Sequence, residues 1–393
     1  MEQLKQGYKQ TDIGVIPEDW EVESVRRLGK FSKGKGISRT ESQTGDIPSI
    51  RYGEIYTTHN NYIKKFNSFI SEAVAKKSQK LKTGDLLFTA SGETKEDIGK
   101  CVAFIDNIEA YAGGDIIILS PENQYNSLLL GFLLNAPCVV KQKANKGQGD
   151  AVVHITKDAL SEIILALPKE TSEQDAIANA LSDINALIAE LGKKITKKQH
   201  IKQGAMQQLL CGKKRLSGFS GEWGEKTIGQ TLTIKHGKNQ KNIEIPSGSY
   251  PILGTGGVMG YTDIPLYSKE SVLIGRKGTI DKPYFYDTPF WTVDTLFYSE
   301  IKDGYSAKFI YYKFNQIDWY AYNEASGVPS LNAKVIESII IAFPPTFVEQ
   351  SAIAQILTDM DNEIEKLQAK REKYIEIKMG MMQQLLTGKI RLI

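Results

Sequence analysis

The chain is predicted to be an α+β protein: two mixed α/β domains separated by two long antiparallel helices that form a coiled coil, organised by an internal pseudo-twofold repeat. Three observations predict this. The stretch "MQQLLCGKKRL", Met206 to Leu216, is written again as "MQQLLTGKIRL", Met382 to Leu392. Apolar residues ahead of each ending recur at heptad spacing. The remaining stretches are rich in Gly, Tyr, Thr and short apolar runs, the texture of strands and turns.

The repeat comes first. Aligned without a gap at an offset of 176, residues 173–216 and 349–392 are identical at 23 of 44 positions, which only duplication explains. The offset extends upstream, where "LSEIILALP" (160–168) lies over "IESIIIAFP" (336–344). A short apolar strand closing on a proline therefore precedes each helix. The first seam is Ile177, Leu181, Ile184, Ile188, Leu191 and Ile195; the second is Ile353, Leu357, Met360, Ile364 and Leu367. Thr171 with Gln174, and Thr346 with Glu349, read as capping boxes. Gly212 and Gly388, each followed by Lys, read as stops. A stripe of about 38 residues at ~1.5 Å per residue runs ~57 Å, longer than a bundle helix needs. The two are therefore expected side by side and oppositely directed.

The domains follow from these limits: 1–167, a helical segment at 168–216, 217–343, and a second helical segment at 344–393. The two domains align weakly, with "LLFTASG" (86–92) over "VLIGRKG" (272–278) and "IPSI" (47–50) over "YPIL" (250–253). The helices match well and the domains poorly, so the helices are common framework and the domains carry two different specificities. The repeat also places the closing "TGKIRLI" near Trp20, as "CGKKRL" precedes Trp223.

Composition excludes several classes. The net charge of +3 demands no nucleic-acid partner. Only Lys193 to Arg215 is one-sided, with eight basic residues and no acid, and it is expected to face an acidic partner. No apolar run approaches the ~20 residues of a membrane span. The opening "MEQLKQGYKQ" is polar and unlike a secretory signal. Cys101, Cys138 and Cys211 are odd in number and far apart, which argues against a disulfide framework or a zinc site and fits a reducing cytoplasm, the expected location.

Catalytic signatures are missing. "FPPT" (343–346) has the prolines of a DNA methyltransferase motif but Phe343 and Thr346 at its flanks, so it reads as a strand-to-helix corner. "GTGG" (254–257) reads as a turn. "GETKEDIGKC" (92–101) has the wrong glycine spacing for a phosphate loop and Cys101 where Ser or Thr belongs. Asp85 with "ETK" (93–95) is too incomplete for a metal-dependent nuclease. His59, His154, His200 and His236 are isolated. No catalytic residue and no metal site are assigned.

The ordered set "GDLLFTASG…IGKCVAF" (84–104), "LPKETSEQDAIANAL" (167–181) with "FPPTFVEQSAIAQIL" (343–357), and "MQQLLCGK" with "MQQLLTGK" resembles the specificity subunit of type I restriction–modification enzymes. The likeness covers nearly the whole chain. It implies two target recognition domains, each reading one half of a split double-stranded DNA site, with helices that set the spacer and dock two methyltransferase subunits. It implies that nuclease–translocase restriction subunits join the complex in phage defence, with no membrane involved. It also implies that this chain is no enzyme and binds no cofactor, while partner subunits use S-adenosylmethionine, ATP and Mg. A ~57 Å rod corresponds to ~17 base pairs of B-DNA at ~3.4 Å each. The alternative is a self-contained DNA methyltransferase or nuclease with an unrecognised catalytic site.

Family contacts vary too much to be carried over, so candidate DNA-binding residues rest on chemistry: basic, amide and aromatic side chains in Gly-rich turns. In the first domain these are Lys33, Lys35, Arg39, Arg51, Tyr52, Lys95 and Gln148. In the second they are Lys235, Lys238, Lys241, Tyr261, Arg276, Lys277 and Asn323.

Overall fold

The computed structural model describes residues 6–392. Residues 1–5 of the polar opening stretch and Ile393 of the closing repeat lie outside the described residues. The chain divides into two compact units, one of residues 1–190 with 371–393 and one of residues 191–370. Each unit contains one mixed domain and half of each long helix.

The first unit is built on a four-stranded antiparallel sheet in the order Cys101–Ala103, Leu86–Thr89, Ile116–Pro121, Gly29–Lys33. Its central strands are unbroken apolar runs because both faces are covered. Alternate residues divide between two cores. Leu87, Val102, Ile116 and Ile118 pack with Ile50 and Phe104. Leu86, Phe88, Ile117 and Leu119 pack with Leu129, Phe132 and the helix residues Ile177, Ala178 and Leu181. A smaller sheet contains Ile47–Ile50 paired in parallel with Tyr111–Ala112. Trp20–Ser24 pairs antiparallel with Ile164–Pro168.

The second unit repeats the plan. Leu232–His236, Leu296–Ile301, Ser271–Gly275 and Tyr284–Tyr286 form the main sheet in that order. Tyr250–Gly254 pairs in parallel with Trp291–Thr292, and Gly224–Thr227 pairs antiparallel with Ile340–Phe343. The weakly matched segments of the two domains thus fall at the same places in two equivalent sheets.

The central helix spans Thr171–Leu209 and the C-terminal helix Phe347–Leu385, 39 residues each. They run antiparallel. In the first unit Ile177 and Leu181 share a core with Leu385 and Leu386. In the second, Leu209 and Leu210 share one with Ile353 and Leu357. Of the seam, Ile177, Leu181, Ile184, Leu191, Ile195, Ile353, Leu357 and Ile364 are buried, while Ile188, Met360 and Leu367 are half-buried. The acids met by the basic run include the chain's own: Lys198 lies 2.7 Å from Glu363, and Lys202 pairs with Asp361.

The capping boxes form only in part. Glu349 N donates to Thr346 Oγ1 at 3.2 Å, but the Glu349 carboxylate is turned to Arg215. Thr171 is itself the first helical residue, and Gln174 donates to Pro168 O and accepts from Asn126 N. Both acid or amide side chains fasten the helix start to its domain instead of closing a local ring.

The same latch closes each unit. In the first, Arg391 holds Glu173 at 2.5 and 2.8 Å and Asp19 at 2.7 and 2.8 Å, while Trp20 Nε1 donates to Glu173 at 3.2 Å. In the second, Arg215 holds Glu349 at 2.6 and 2.7 Å, and Trp223 Nε1 lies 3.4 Å from it. Gly388 and Gly212 precede the arginines at φ of +67° and +70°. A Cβ there would meet Pro17 at 2.5 Å or Trp223 at 3.0 Å, so both φ and space require glycine.

Each domain also buries a lysine, at places that do not correspond. Lys143 is 1% exposed and donates to Gly99 O and Leu134 O at 2.7 and 2.8 Å; Lys313 donates to Leu210 O at 2.9 Å. Burial lowers the Lys143 pKa from 10.5 to about 8. The unfolded chain therefore binds this proton more tightly than the folded one, and stability from this group should rise as pH climbs from about 8 to 10.5. Melting temperature of the wild type should therefore rise relative to that of Lys143→Met as pH climbs across that window. Parallel curves would contradict the assignment.

Candidate nucleic-acid interface

In the first unit, six of the seven candidate residues are linked through one chain of contacts. Lys33 ends its strand opposite Ile117, and Lys35 N donates to Ala112 O. Gly113 N donates to Ile50 O, next to Arg51 and the exposed Tyr52. The short helix Tyr52–Thr57 then reaches the loop carrying Lys95, since Tyr56 Oη donates to Ser91 O at 2.9 Å. Gln148 exchanges backbone hydrogen bonds with His154, whose Nδ1 lies 3.0 Å from Ser91 Oγ. Arg39 stands apart in a turn fastened by Glu41 to Ser38.

In the second unit, Arg276, Lys277 and Asn323 come together. Arg276 N and Lys277 N both donate to Thr295 O, and Arg276 Nη1 donates to Asp294 O at 3.2 Å. Gly278 N donates to Pro329 O, which seats the loop 323–330 against them. The Asn323 side chain is largely used in shaping that loop. Its Oδ1 accepts from Ala325 N and Ser330 N, and its Nδ2 donates to Ala325 O. Lys235 is paired with Glu300 at 3.2 Å. Lys238 and Lys241 are exposed, and Tyr261 is exposed on the edge strand Gly257–Thr262.

Matching backbone hydrogen bonds make further residues of the two domains equivalent. Lys238 N donates to Thr292 O as Lys35 N does to Ala112 O. The preceding glycines, Gly237 and Gly34, lie where a Cβ would meet a carbonyl oxygen at 1.9 Å. Loop 324–330 is closed by Glu324 N to Ser330 O as 148–154 is closed by Gln148 N to His154 O. Val152 and Val328, 176 residues apart, stand at 52% and 66% exposure on these loops. The signal was present: the offset of the helices holds back to residue 148.

Elsewhere the structure explains polar groups by packing. Asp85 accepts from Ser120 Oγ at 2.6 Å and Lys82 N at 2.8 Å, and burial raises its pKa. No group of three or more His, Cys, Asp or Glu side chains suited to a metal occurs among the described residues. No helix among them is long and apolar enough to cross a membrane.

A duplicated sheet scaffold joined to paired long helices defines the class. The type I restriction modification DNA specificity domain matches residues 17–203 and again 220–376, and the chain belongs to that family. It is 26% identical over 98% of its length to a putative type I restriction enzyme MjaX specificity subunit of Methanocaldococcus jannaschii, covering 97% of that protein. It is 24% identical over 96% of its length to the MjaVIII specificity subunit of the same organism, covering 94%. The crystal structure of a type I system S subunit from M. genitalium shares the fold at a TM-score of 0.69 and 15% identity, with 98% and 97% of the two chains covered. A chain from a structure described as concerning complex assembly and conformational transition of the type I system shares it at 0.53 and 12%, with 95% and 99% covered. Membership in this family favours a non-catalytic specificity subunit over a self-contained methyltransferase or nuclease.

Proposed function

We propose that each mixed domain reads one half of a bipartite double-stranded DNA site, and that the paired helices set the unread spacer and dock two methyltransferase subunits. Restriction subunits then join the same assembly, and S-adenosylmethionine, ATP and Mg enter only with those partners. The observation that carries this reading is the contrast between equivalent frameworks and unlike loops. Lys35 and Lys238 occupy matching places, whereas Lys95 and Gln148 in one domain and Arg276 and Lys277 in the other have no such counterparts. Matching lysines suit phosphate contacts, which position without specifying, and unlike loops suit base edges.

Sequencing methylated genomic DNA from cells with and without this chain tests the reading. The expected result is loss of one asymmetric, interrupted motif. An unchanged methylome would refute it. Within the second domain, Arg276→Ala should cost roughly 1–3 kcal/mol at one base position through loss of a bidentate guanine contact. Binding assays on single-base variants check this, and a uniform loss on all sequences would mark a phosphate contact instead.

A further inference from the structure

Both units contain one polar cluster, complete in one and short of a member in the other. In the second unit Tyr312 Oη donates to Asp361 Oδ2 at 2.8 Å and lies 3.2 Å from Thr358 Oγ1. Lys202 pairs with Asp361 and sits 5.6 Å from the Tyr312 ring centroid. The cation and the anion cancel. The offset of 176 carries Thr358 to Ser182, Lys202 to Lys378, and Asp361 to Asn185.

In the first unit Ser182 Oγ meets Tyr62 Oη at 3.5 Å, so a tyrosine again completes the cluster. The acid is gone, because Asn185 stands in its place. Lys378 is half-buried, and among the described residues no acid pairs with it. Lys64, 4.8 Å from the Tyr62 ring centroid, adds like charge. Burial first, and Lys64 second, hold the Lys378 pKa below its ordinary value.

Lys378 lines a groove of about 310 Å³ with Asn60, Lys100, Lys143, Glu96 and Asp97. Two of its three ammonium groups are already engaged. Lys143 is spent on two carbonyls, and Lys100 donates to Tyr56 O and feels Asp97. Buried His59 carries two ring nitrogens without a partner, and burial, then Lys100 and Lys65, lower its pKa to about 4. It is neutral near pH 7 and supplies no countercharge. Lys378 is therefore the cation left over. Glu96 and Asp97 in the same groove repel a dianion more strongly than a monoanion.

We propose that the groove beside Lys378 is a binding site for one carboxylate, which supplies to Lys378 the charge that Asp361 supplies to Lys202 in the second unit. The carboxylate comes from a small anion or from an Asp or Glu side chain of the methyltransferase subunit; the second source rests on the assembly proposed above.

Two measurements on the full chain test this with Asn185→Asp and Lys378→Met. Melting temperature is compared in acetate and in chloride at equal ionic strength. The wild type is expected to gain from acetate, and both variants to lose that gain, because one supplies the acid internally and the other removes the cation. Affinity for the cognate methyltransferase subunit is then measured by calorimetry. Both variants should bind roughly tenfold more weakly if the carboxylate is the partner's. An acetate response with unchanged assembly supports the small-anion source, and weakened assembly supports the partner. Variants indistinguishable from wild type in both measurements would overturn the site. If the wild type itself does not bind the methyltransferase subunit, the assembly reading fails, and the acetate comparison alone decides the site.

Discussion

Replacing residues 217–343 with the corresponding domain of a relative that reads a different DNA is expected to change one half of the recognised site and leave the other as it was. The physical ground is that the second domain meets the helices through a small set of framework side chains, apart from its candidate DNA-contacting loops. They include Trp223 against Gly212 and Glu349, Lys313 on Leu210 O, Ser306 N on Gln350, Tyr312 on Asp361, and the apolar face of Phe309 and Phe343 against Ile353 and Leu357. Arg215 and Glu349 lie outside the exchanged segment and stay paired. A donor domain that carries Trp, Lys and the apolar pair at these places should fold on the retained helices. Methylation mapping before and after the exchange checks the result. Changes in both halves, or in neither, would sink the independence of the two domains.

The second large effect is on stability. Arg391→Ala leaves the Glu173 carboxylate, 2% exposed at its side chain, with only Trp20 Nε1 for company. Removing one partner of such a pair typically costs about 3–5 kcal/mol. Arg391→Lys should restore only part, since an ammonium cannot reproduce the forked contacts to Glu173 and Asp19. Adding Glu173→Gln to Arg391→Ala should recover some of the loss by removing the stranded charge. Urea unfolding of the four proteins checks the order, and Arg391→Ala unfolding at the wild-type midpoint would contradict it. The Arg391 hydrogen bond also holds the Asp19 pKa below its ordinary 3.8. That contribution is complete above about 4 and is lost as pH falls through the depressed value.

The helices were legible because duplication and heptad spacing both act over dozens of residues. The long strands were legible because "LLFT" and "IIILSP" are apolar on both faces. The caps were misjudged because Gln174 and Glu349 suit a local box and a tertiary grip equally well by residue type. The candidate interface was legible only as composition. Asn323 reads as a base-contacting amide, yet its oxygen and one of its two N–H donors are taken by its own loop. The equivalence of Lys35 and Lys238 rests on backbone pairing to Ala112 and Thr292, which carry no common letter. Loops diverge in length, so an ungapped offset that serves the helices loses the frame inside the domains.

The latch at Arg391 has a consequence for synthesis. Glu173 and Asp19 leave the ribosome more than two hundred residues before the guanidinium that neutralises them. The second unit's equivalent, Arg215, is made ahead of its Glu349 and meets that acid as soon as it emerges. The unit translated first is thus the last to be sealed, and a nascent chain holds a finished carboxy-proximal half beside an amino-proximal half still waiting for its cation.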